Sequence, residues 1–219
     1  MIENSDFETF LYISKNKYQI FVYDKNNLKN LYDEEIKSDN EIELNLLSKF
    51  LDDNVYKIEK MIKNFIRNII LIIEDDKVLD IGISLKKKNY EKNIDQKQLE
   101  KSLVEIKNIF RENYLNETIM HMIVVNNKNN DDYLFLEVNF ISISNNFTFY
   151  FDKVLESHQI KISRYMSCRY IKSYISEDST ELFTMANKLN NGFNKNEVQL
   201  ISKNVKNIGF FEKFFQLFS

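Results

Sequence analysis

Ile69-Ile70-Leu71-Ile72-Ile73 is the stretch that decides the fold, because it is the longest apolar run in a chain of 219 residues. It is far shorter than the roughly 20 apolar residues that a membrane span requires. A short apolar run bounded by polar residues is typical of a strand that is buried completely. The sequence therefore predicts a sheet with this strand in its core.

Before this strand, the apolar pattern first alternates and then becomes helical. Alternation predicts a hairpin of two strands joined tightly at Lys15-Asn16, with a third strand at about residues 28–36. From Glu41 the apolar residues recur at steps of three and four, which predicts one long amphipathic helix. The alternating positions are Phe10, Tyr12, Tyr18, Ile20 and Val22, and the helical ones are Leu44, Leu47, Leu51, Val55, Ile58, Ile62 and Phe65. Residues 1–76 thus predict a β-β-β-α-β unit.

A second unit begins near Val78 and occupies residues 77–177. Asp95 can cap its first helix, with Gln98 as the capping-box partner, and strands are expected at residues 119–125 and 133–144. A second helix, a short strand at residues 160–162 and a helix from about Tyr165 follow. The buried stripes are Leu99, Leu103, Ile106 and Phe110 in the first helix, and Phe147, Phe151, Val154 and Leu155 in the second. This order predicts an α/β fold with a β-α-β-β-α-β second unit.

Residues 178–207 carry a weaker pattern. A short helix is expected at residues 182–189, and the polar, Gly-containing stretch 190–196 suits a linker. Residues 208–219 are rich in phenylalanine, and we call this segment the tail.

Charge and cysteine content exclude some classes of function. Lys and Arg number 30 against 33 Asp and Glu, for a net charge of −3, so the chain has no excess of cations for a nucleic-acid backbone. Cys168 is the only cysteine, which excludes an internal disulfide and suits a reducing compartment. The opening residues lack the basic and apolar regions of a secretory signal. We therefore expect a cytosolic protein that does not bind nucleic acid.

No catalytic, metal or cofactor site is expected from the sequence. His121, His158 and Cys168 are the obvious candidates, but none has a second histidine or cysteine at the short spacing typical of zinc sites. Nothing places a base beside a nucleophile either. Asp80-Ile81-Gly82 resembles the start of a phosphate-binding loop, yet Ile83-Ser84-Leu85 follows where further glycines are needed. We interpret it as a strand, and we expect a protein that is not an enzyme.

The tail is the strongest functional signal in the sequence. On a helical wheel its apolar residues occupy one half, while Glu212, Lys213 and Gln216 share the other. A short, aromatic-rich terminal helix after a polar linker suits insertion into the headgroup boundary of a membrane. The residues predicted to bind the membrane are Ile208, Phe210, Phe211, Lys213, Phe214, Phe215, Leu217 and Phe218. The alternative is a terminal helix that docks on its own core.

Several stretches resemble the bacterial cell division protein FtsA, a member of the actin-like family. Leu11-Tyr12-Ile13-Ser14-Lys15-Asn16-Lys17 is similar to the phosphate hairpin that opens that family, and the long helix before Ile69 fits its first subdomain. Residues 77–177 are similar to its inserted SHS2 subdomain, above all at Phe135-Leu136-Glu137-Val138-Asn139-Phe140-Ile141-Ser142 and at Val154-Leu155-Glu156-Ser157-His158-Gln159-Ile160-Lys161-Ile162. The Phe-rich tail also resembles the membrane-targeting helix of FtsA.

The differences from the family pattern affect the expected binding of nucleotide. Tyr12 stands where the family hairpin has an acid, and Ser14 stands where it has glycine, so the metal-associated carboxylate and the close approach to phosphate are both lost. No counterpart of the second ATP-binding half follows Ile175. The resemblance to FtsA places the contact with the FtsZ tail in that half, so this contact is not expected here.

The function implied by the resemblance is a shortened, non-catalytic FtsA-like scaffold. It would sit on the inner face of the cytoplasmic membrane, recruit division proteins through an SHS2-type module, and could associate with itself. Two alternatives stay open. One is a soluble adaptor whose tail binds a partner groove or its own core, and the other is an enzyme that retains ATP binding.

Overall fold

The computed structural model describes residues 7–27, 29–39, 41–88, 96–129, 132–175 and 181–198. The strands are β1 (Phe7–Ser14), β2 (Lys17–Asp24), β3 (Lys29–Lys37), β4 (Asn68–Glu74), β5 (Leu79–Lys88), β6 (Glu117–Asn129), β7 (Tyr133–Ser144) and β8 (Lys161–Ser167). The helices are α1 (Leu44–Ile62), α2 (Gln96–Asn113), α3 (Asn145–Ser157), α4 (Cys168–Lys172) and α5 (Leu182–Asn190). The strands form two sheets, so the predicted α/β class is confirmed.

The larger sheet has the strand order β3-β2-β1-β4-β8. β1 and β2 form the predicted hairpin, and β3 pairs antiparallel to β2. Strand β4 is parallel to β1 on one side and to β8 on the other. Residues 69–73 of β4 are all buried, since paired strands flank them and helices pack on the sheet. The apolar run at residues 69–73 is therefore the central buried strand that its sequence predicts.

Helix α1 packs its apolar stripe on this sheet, with Leu47, Leu51 and Ile58 fully buried. The helix ends one turn earlier than the sequence pattern predicts. Lys63 adopts a left-handed conformation, with a φ of 54°, and its N–H donates to the carbonyl of Glu59. This C-terminal cap turns the chain away from the helix axis. Phe65 is 72% exposed as a result, so its assignment to the buried stripe is wrong.

The smaller sheet has the order β5-β7-β6, and α2 covers one of its faces. Asp80-Ile81-Gly82 lies in β5, as interpreted from the sequence. A separate apolar core forms between this sheet and α2 around Ile106, Phe110 and Phe140. The expected capping residue Asp95 lies outside the described residues.

Helix α3 and strand β8 belong with the larger sheet. The sequence assigned both to the unit at residues 77–177, but β8 pairs with β4, and α3 packs Phe151 and Leu155 into the core of the larger sheet. Strand β8 is also longer than expected: it includes Tyr165, where the sequence predicted the start of a helix. That helix begins at Cys168 instead, after Ser167 caps it.

Residues 196–198 are attached to the smaller sheet. Helix α5 occupies the predicted position, but the polar stretch after it does not form a free linker. The Val124 N–H donates to the Asn196 carbonyl at 2.9 Å, and the Val198 N–H donates to the Met122 carbonyl at 2.8 Å. The chain is therefore bonded to β6 at residues 196 and 198.

The predicted membrane-binding residues 208–218 lie outside the described part of the chain. Among the helices within that part, none combines the length and apolarity needed to cross a membrane.

The central strand should dominate the stability of the fold. Replacing the fully buried Ile72 by alanine should lower the free energy of unfolding by about 2–5 kcal/mol, because it leaves a cavity between packed layers. The matched control is Phe65→Ala, which should change it by less than about 0.5 kcal/mol. Urea denaturation followed by circular dichroism measures both values, and equal losses would contradict the packing described here.

Candidate functional site

A cleft of about 550 Å³ opens where the parallel strands of the larger sheet end. Because β1, β4 and β8 run in the same direction, their carboxyl ends at Ser14, Glu74 and Ser167 lie at one edge. Ligands of open α/β sheets bind in crevices at this edge. The cleft is lined by Tyr12, Ser14, Lys15, Asn16, Lys17, Ile73, Glu74, Asp75, Asp76, Val78, Ser167, Arg169 and Lys172. It is the best candidate for a ligand site in the described part of the chain.

The hairpin between β1 and β2 forms one wall of the cleft. The Ser14 side chain accepts hydrogen bonds from two of its backbone amides. The Ser14 hydroxyl accepts the N–H of Asn16 at 3.3 Å and the N–H of Lys17 at 3.2 Å. It donates in turn to the Lys17 carbonyl at 3.2 Å. Backbone amides are what a phosphate-binding hairpin offers its ligand. Here two of them already have an acceptor within the chain.

Tyr12 lines the cleft and binds Glu74. Its hydroxyl donates to one oxygen of Glu74, and the ammonium of Lys172 donates to the other at 2.5 Å. Burial and the Glu74 carboxylate raise the pKa of Tyr12, so the phenol keeps its proton. Burial raises the pKa of Glu74 as well, but the bonds from Lys172 and Tyr12 outweigh it and hold that pKa below its ordinary value. The Glu74 carboxylate is therefore ionised and has a donor on each oxygen.

The mouth of the cleft carries charges of both signs. Lys15 pairs with Asp76 at 2.9 Å, with side chains 47% and 90% exposed. Exposed pairs of this kind contribute little to stability and open readily. Arg169 also lines the cleft and lies close enough to Asp76 to lower the pKa of that carboxyl, after the larger effect of Lys15.

Cys168 lies beneath the cleft and is fully buried. Burial, followed by the nearby Glu74 carboxylate, raises the pKa of its thiol to about 11. Since the thiolate is the reactive form, this thiol is poorly suited to nucleophilic chemistry. Within the described residues, no group of three or more histidine, cysteine, aspartate and glutamate side chains is placed to hold a metal ion.

His158 connects two helices at a distance from the cleft. Its Nε2 lies 3.0 Å from the Asp52 carboxylate on α1, and its Nδ1 lies 2.9 Å from the Val154 carbonyl on α3. These contacts position α3 against α1.

His121 lies at the junction of the two sheets and is 1% exposed. Its Nε2 accepts the backbone N–H of Ser167 at 2.9 Å, so the ring proton is on Nδ1, which donates to Glu197 at 2.7 Å. Burial lowers the pKa of His121, since it outweighs the attraction of Glu197. The imidazole is therefore neutral, and it links β6, β8 and the segment that follows α5.

Glu197 is the centre of this junction. Besides His121, its carboxylate accepts a bond from the Arg164 guanidinium and one from the Tyr170 hydroxyl at 3.1 Å. Burial raises the pKa of Glu197, but His121, Arg164 and Tyr170 together lower it below its ordinary value. We call His121, Arg164, Tyr170 and Glu197 the inter-sheet network.

Sequence reasoning missed the inter-sheet network. Glu197 follows a polar stretch that is typical of a linker, and no pattern in the sequence pairs it with a strand 76 residues earlier. The sequence pattern places His121 within a strand, but its partners come from elements distant in sequence.

Comparisons with known proteins indicate a fold but no family. No protein-family model and no curated protein matches the chain. A chain of the PilM–PilN type IV pilus biogenesis complex is similar over 76% of this chain and 49% of that one, with a TM-score of 0.52 and 8% identity.

Two other solved structures are more distant. A Bacteroides thetaiotaomicron protein with an actin-like ATPase fold and unknown function matches 80% of this chain and 58% of that one, at 15% identity and a TM-score of 0.37. The cytoplasmic domain of EpsL, an inner membrane component of the type II secretion system of Vibrio cholerae, matches 78% and 59%, at 7% identity and a TM-score of 0.38.

This chain therefore spans about half to three fifths of the length of the structures it resembles. The similarity is one of fold. The predicted α/β fold is confirmed, whereas the actin-like assignment and membership of the FtsA family stay predictions.

The inter-sheet network should make the fold sensitive to acid. His121 takes up a proton near its ordinary pKa of 6.5 when the chain unfolds, but resists it when folded. The unfolded state thus binds more protons as the pH falls, so the free energy of unfolding should decrease between about pH 7 and 5, by at most about 1.4 kcal/mol per pH unit for one proton. The lowered pKa of Glu197 adds a loss in the same direction at lower pH.

Urea denaturation of the His121→Gln variant at several pH values tests this expectation. The variant should lose most of the slope between pH 7 and 5, whatever its stability at neutral pH. The native chain, measured under the same conditions, provides the reference slope. An unchanged slope in His121→Gln would show that other groups cause the acid sensitivity.

Proposed function

We propose that this chain is a non-catalytic actin-like scaffold that attaches to the inner face of the cytoplasmic membrane and bridges proteins there. The proposal that the chain is not catalytic rests on the hydrogen bonds of the hairpin between β1 and β2. Ser14 already satisfies the amides of Asn16 and Lys17, and Tyr12 takes the place of a carboxylate while bonding to Glu74. A nucleoside triphosphate would have to break these bonds before the hairpin could bind its phosphates.

The smaller sheet is proposed as the module that recruits a partner. Helix α2 covers one of its faces, while Asp80, Ser84 and Lys86 of β5 remain exposed. The similar chain in the PilM–PilN complex belongs to an assembly of two proteins, which makes a protein partner a reasonable expectation for this fold. Residues 135–142 and 154–162, which resemble FtsA, suggest that the partners are division proteins.

Membrane attachment is proposed for the Phe-rich tail. Burial of a phenylalanine side chain away from water contributes about 1.5–3 kcal/mol. Several of them on one flank of residues 208–218 would hold the chain reversibly on a bilayer. EpsL, which is an inner membrane component, offers only a distant parallel.

A soluble adaptor is the second candidate, and one structural feature favours it. An apolar groove of about 500 Å³ lies beside the N-termini of α1 and α3, lined in part by Ile42, Leu44, Phe147 and Tyr150. Tyr150 is 55% exposed. A Phe-rich helix could dock in this groove in place of a membrane.

Flotation with liposomes distinguishes these two candidates. The intact chain should float with vesicles that contain anionic lipid, and a chain ending at Asn207 should stay in the soluble fraction, because the apolar flank has been removed. A third variant, Phe211→Ser with Phe215→Ser, keeps the length of the tail and should also fail to float. Equal flotation of the intact and truncated chains would remove the membrane role and leave the adaptor.

Calorimetry tests the absence of nucleotide binding. Titration of the chain with ATP and Mg²⁺ should give the same heats as titration with Mg²⁺ alone, because the hairpin amides already have an acceptor in Ser14. Binding in the micromolar range would contradict the proposal and revive an ATP-dependent activity.

A further inference from the structure

Each sheet ends on one side in a strand whose outer edge has no partner strand in the described part of the chain. The larger sheet ends at β3, and the smaller sheet ends at β5. Within the described residues, no strand pairs with the outer edge of either one. Such an edge presents backbone N–H and C=O groups that can accept another strand. Among the described residues, the outer edges of β3 and β5 are thus two of the places where a further strand could bind.

The two edges carry opposite charges in the same spacing. Strand β3 has Asp33, Glu34 and Glu35 in succession, all exposed. Strand β5 ends with three consecutive lysines, of which the outer two are exposed. Because side chains alternate along a strand, the middle charge of each triplet points to one face and the outer two point to the other. The triplets therefore match residue by residue.

Charges on edge strands usually prevent pairing. Here they oppose only the pairing of like edges, because two β3 strands would place acids opposite acids, and two β5 strands would place lysines opposite lysines. Like charges opposite each other destabilise a strand pair, and opposite charges stabilise it. The pairing of β3 with β5 is the one combination that the charges favour.

Existing ion pairs within the chain leave these charges available. Glu35 pairs with Lys17, and Lys87 pairs with Glu105, but all of these side chains are at least 36% exposed, so both pairs are weak. Glu34 and Lys88 form no ion pair within the described part of the chain.

We propose that β3 of one copy pairs with β5 of a second copy and joins the two sheets into one. An antiparallel register with Glu34 opposite Lys87 aligns all three charge pairs and sets Ile36 beside Leu85. It also avoids the start of β3, where Asn30 contacts Glu181 near α5 at 3.3 Å. The first copy would keep a free β5 and the second a free β3, so the contact is heterologous and produces open chains or rings. This assembly goes beyond the proposed scaffold role, because it requires neither a membrane nor another protein.

Complementary charge reversal tests the contact. One variant carries Lys86→Glu and Lys88→Glu, and the other carries Asp33→Lys and Glu35→Lys. In sedimentation velocity experiments on the full chain, the native protein should form species larger than the monomer as its concentration rises, and added salt should dissociate them. Each variant alone should remain monomeric, since two of the three facing pairs between β3 and β5 now have like charges. An equimolar mixture of the two should assemble again.

Two controls test whether the effect is specific to the charges of β3 and β5. Lys49→Glu with Lys57→Glu makes the same change in net charge as Lys86→Glu with Lys88→Glu, but on exposed positions of α1, and it should assemble like the native protein. The tail is present in all variants, so association through the tail would not respond to these substitutions. Circular dichroism should show that every variant is folded.

Hydrogen exchange on the native protein provides a measurement that needs no variant. Amides at residues 33–37 and 84–88 should exchange more slowly at high protein concentration than at low concentration, whereas those of β4 should not change. A native chain that stays monomeric, a mixture that fails to assemble, or protection elsewhere would each overturn the proposal.

Discussion

Parallel pairing of β4 with β1 and β8 is the constraint on which the rest of the structure depends. Parallel strands cannot be joined by a tight turn, so the chain must leave the sheet after β4 and return to it as β8. The smaller sheet and its helix α2 are built within that excursion. The same parallel arrangement brings the carboxyl ends of the three strands together, and the cleft exists because of it. One buried strand therefore explains both the insertion and the position of the candidate site.

The cleft has the location of a ligand site, but its polar groups already bind one another. Ser14 holds two hairpin amides, while Tyr12 and Lys172 hold the Glu74 carboxylate. These bonds stabilise the end of the sheet, where an empty phosphate site would leave amides and charges without partners. Because the polar groups at this end of the sheet bind one another, they need no cofactor to hold them in one conformation. This is what a scaffold without catalytic activity requires.

Local patterns in the sequence predicted much of the fold, including β4, the β1–β2 hairpin and the stripe of α1. Contacts between distant segments could not be predicted in this way. Strand β8 buries only its last two residues, so its alternation is weak and Tyr165 was assigned to a helix. For the site, the substitutions at Tyr12 and Ser14 were visible by resemblance, but their hydrogen bonds were not. Glu197 was missed entirely, because burial of an acid depends on partners that only the folded chain brings together.

Attachment of residues 196–198 to β6 has a mechanical consequence. Any tension on the chain beyond Val198 enters the molecule through the bonds to Met122 and Val124, one residue on either side of Ile123. The load then passes to Glu197 and its buried partners, which connect the insertion to the main sheet. A pull from that direction is thus shared by both halves of the fold, and the first bond to break would be the one from the Val198 N–H to the Met122 carbonyl, before the load reaches Glu197.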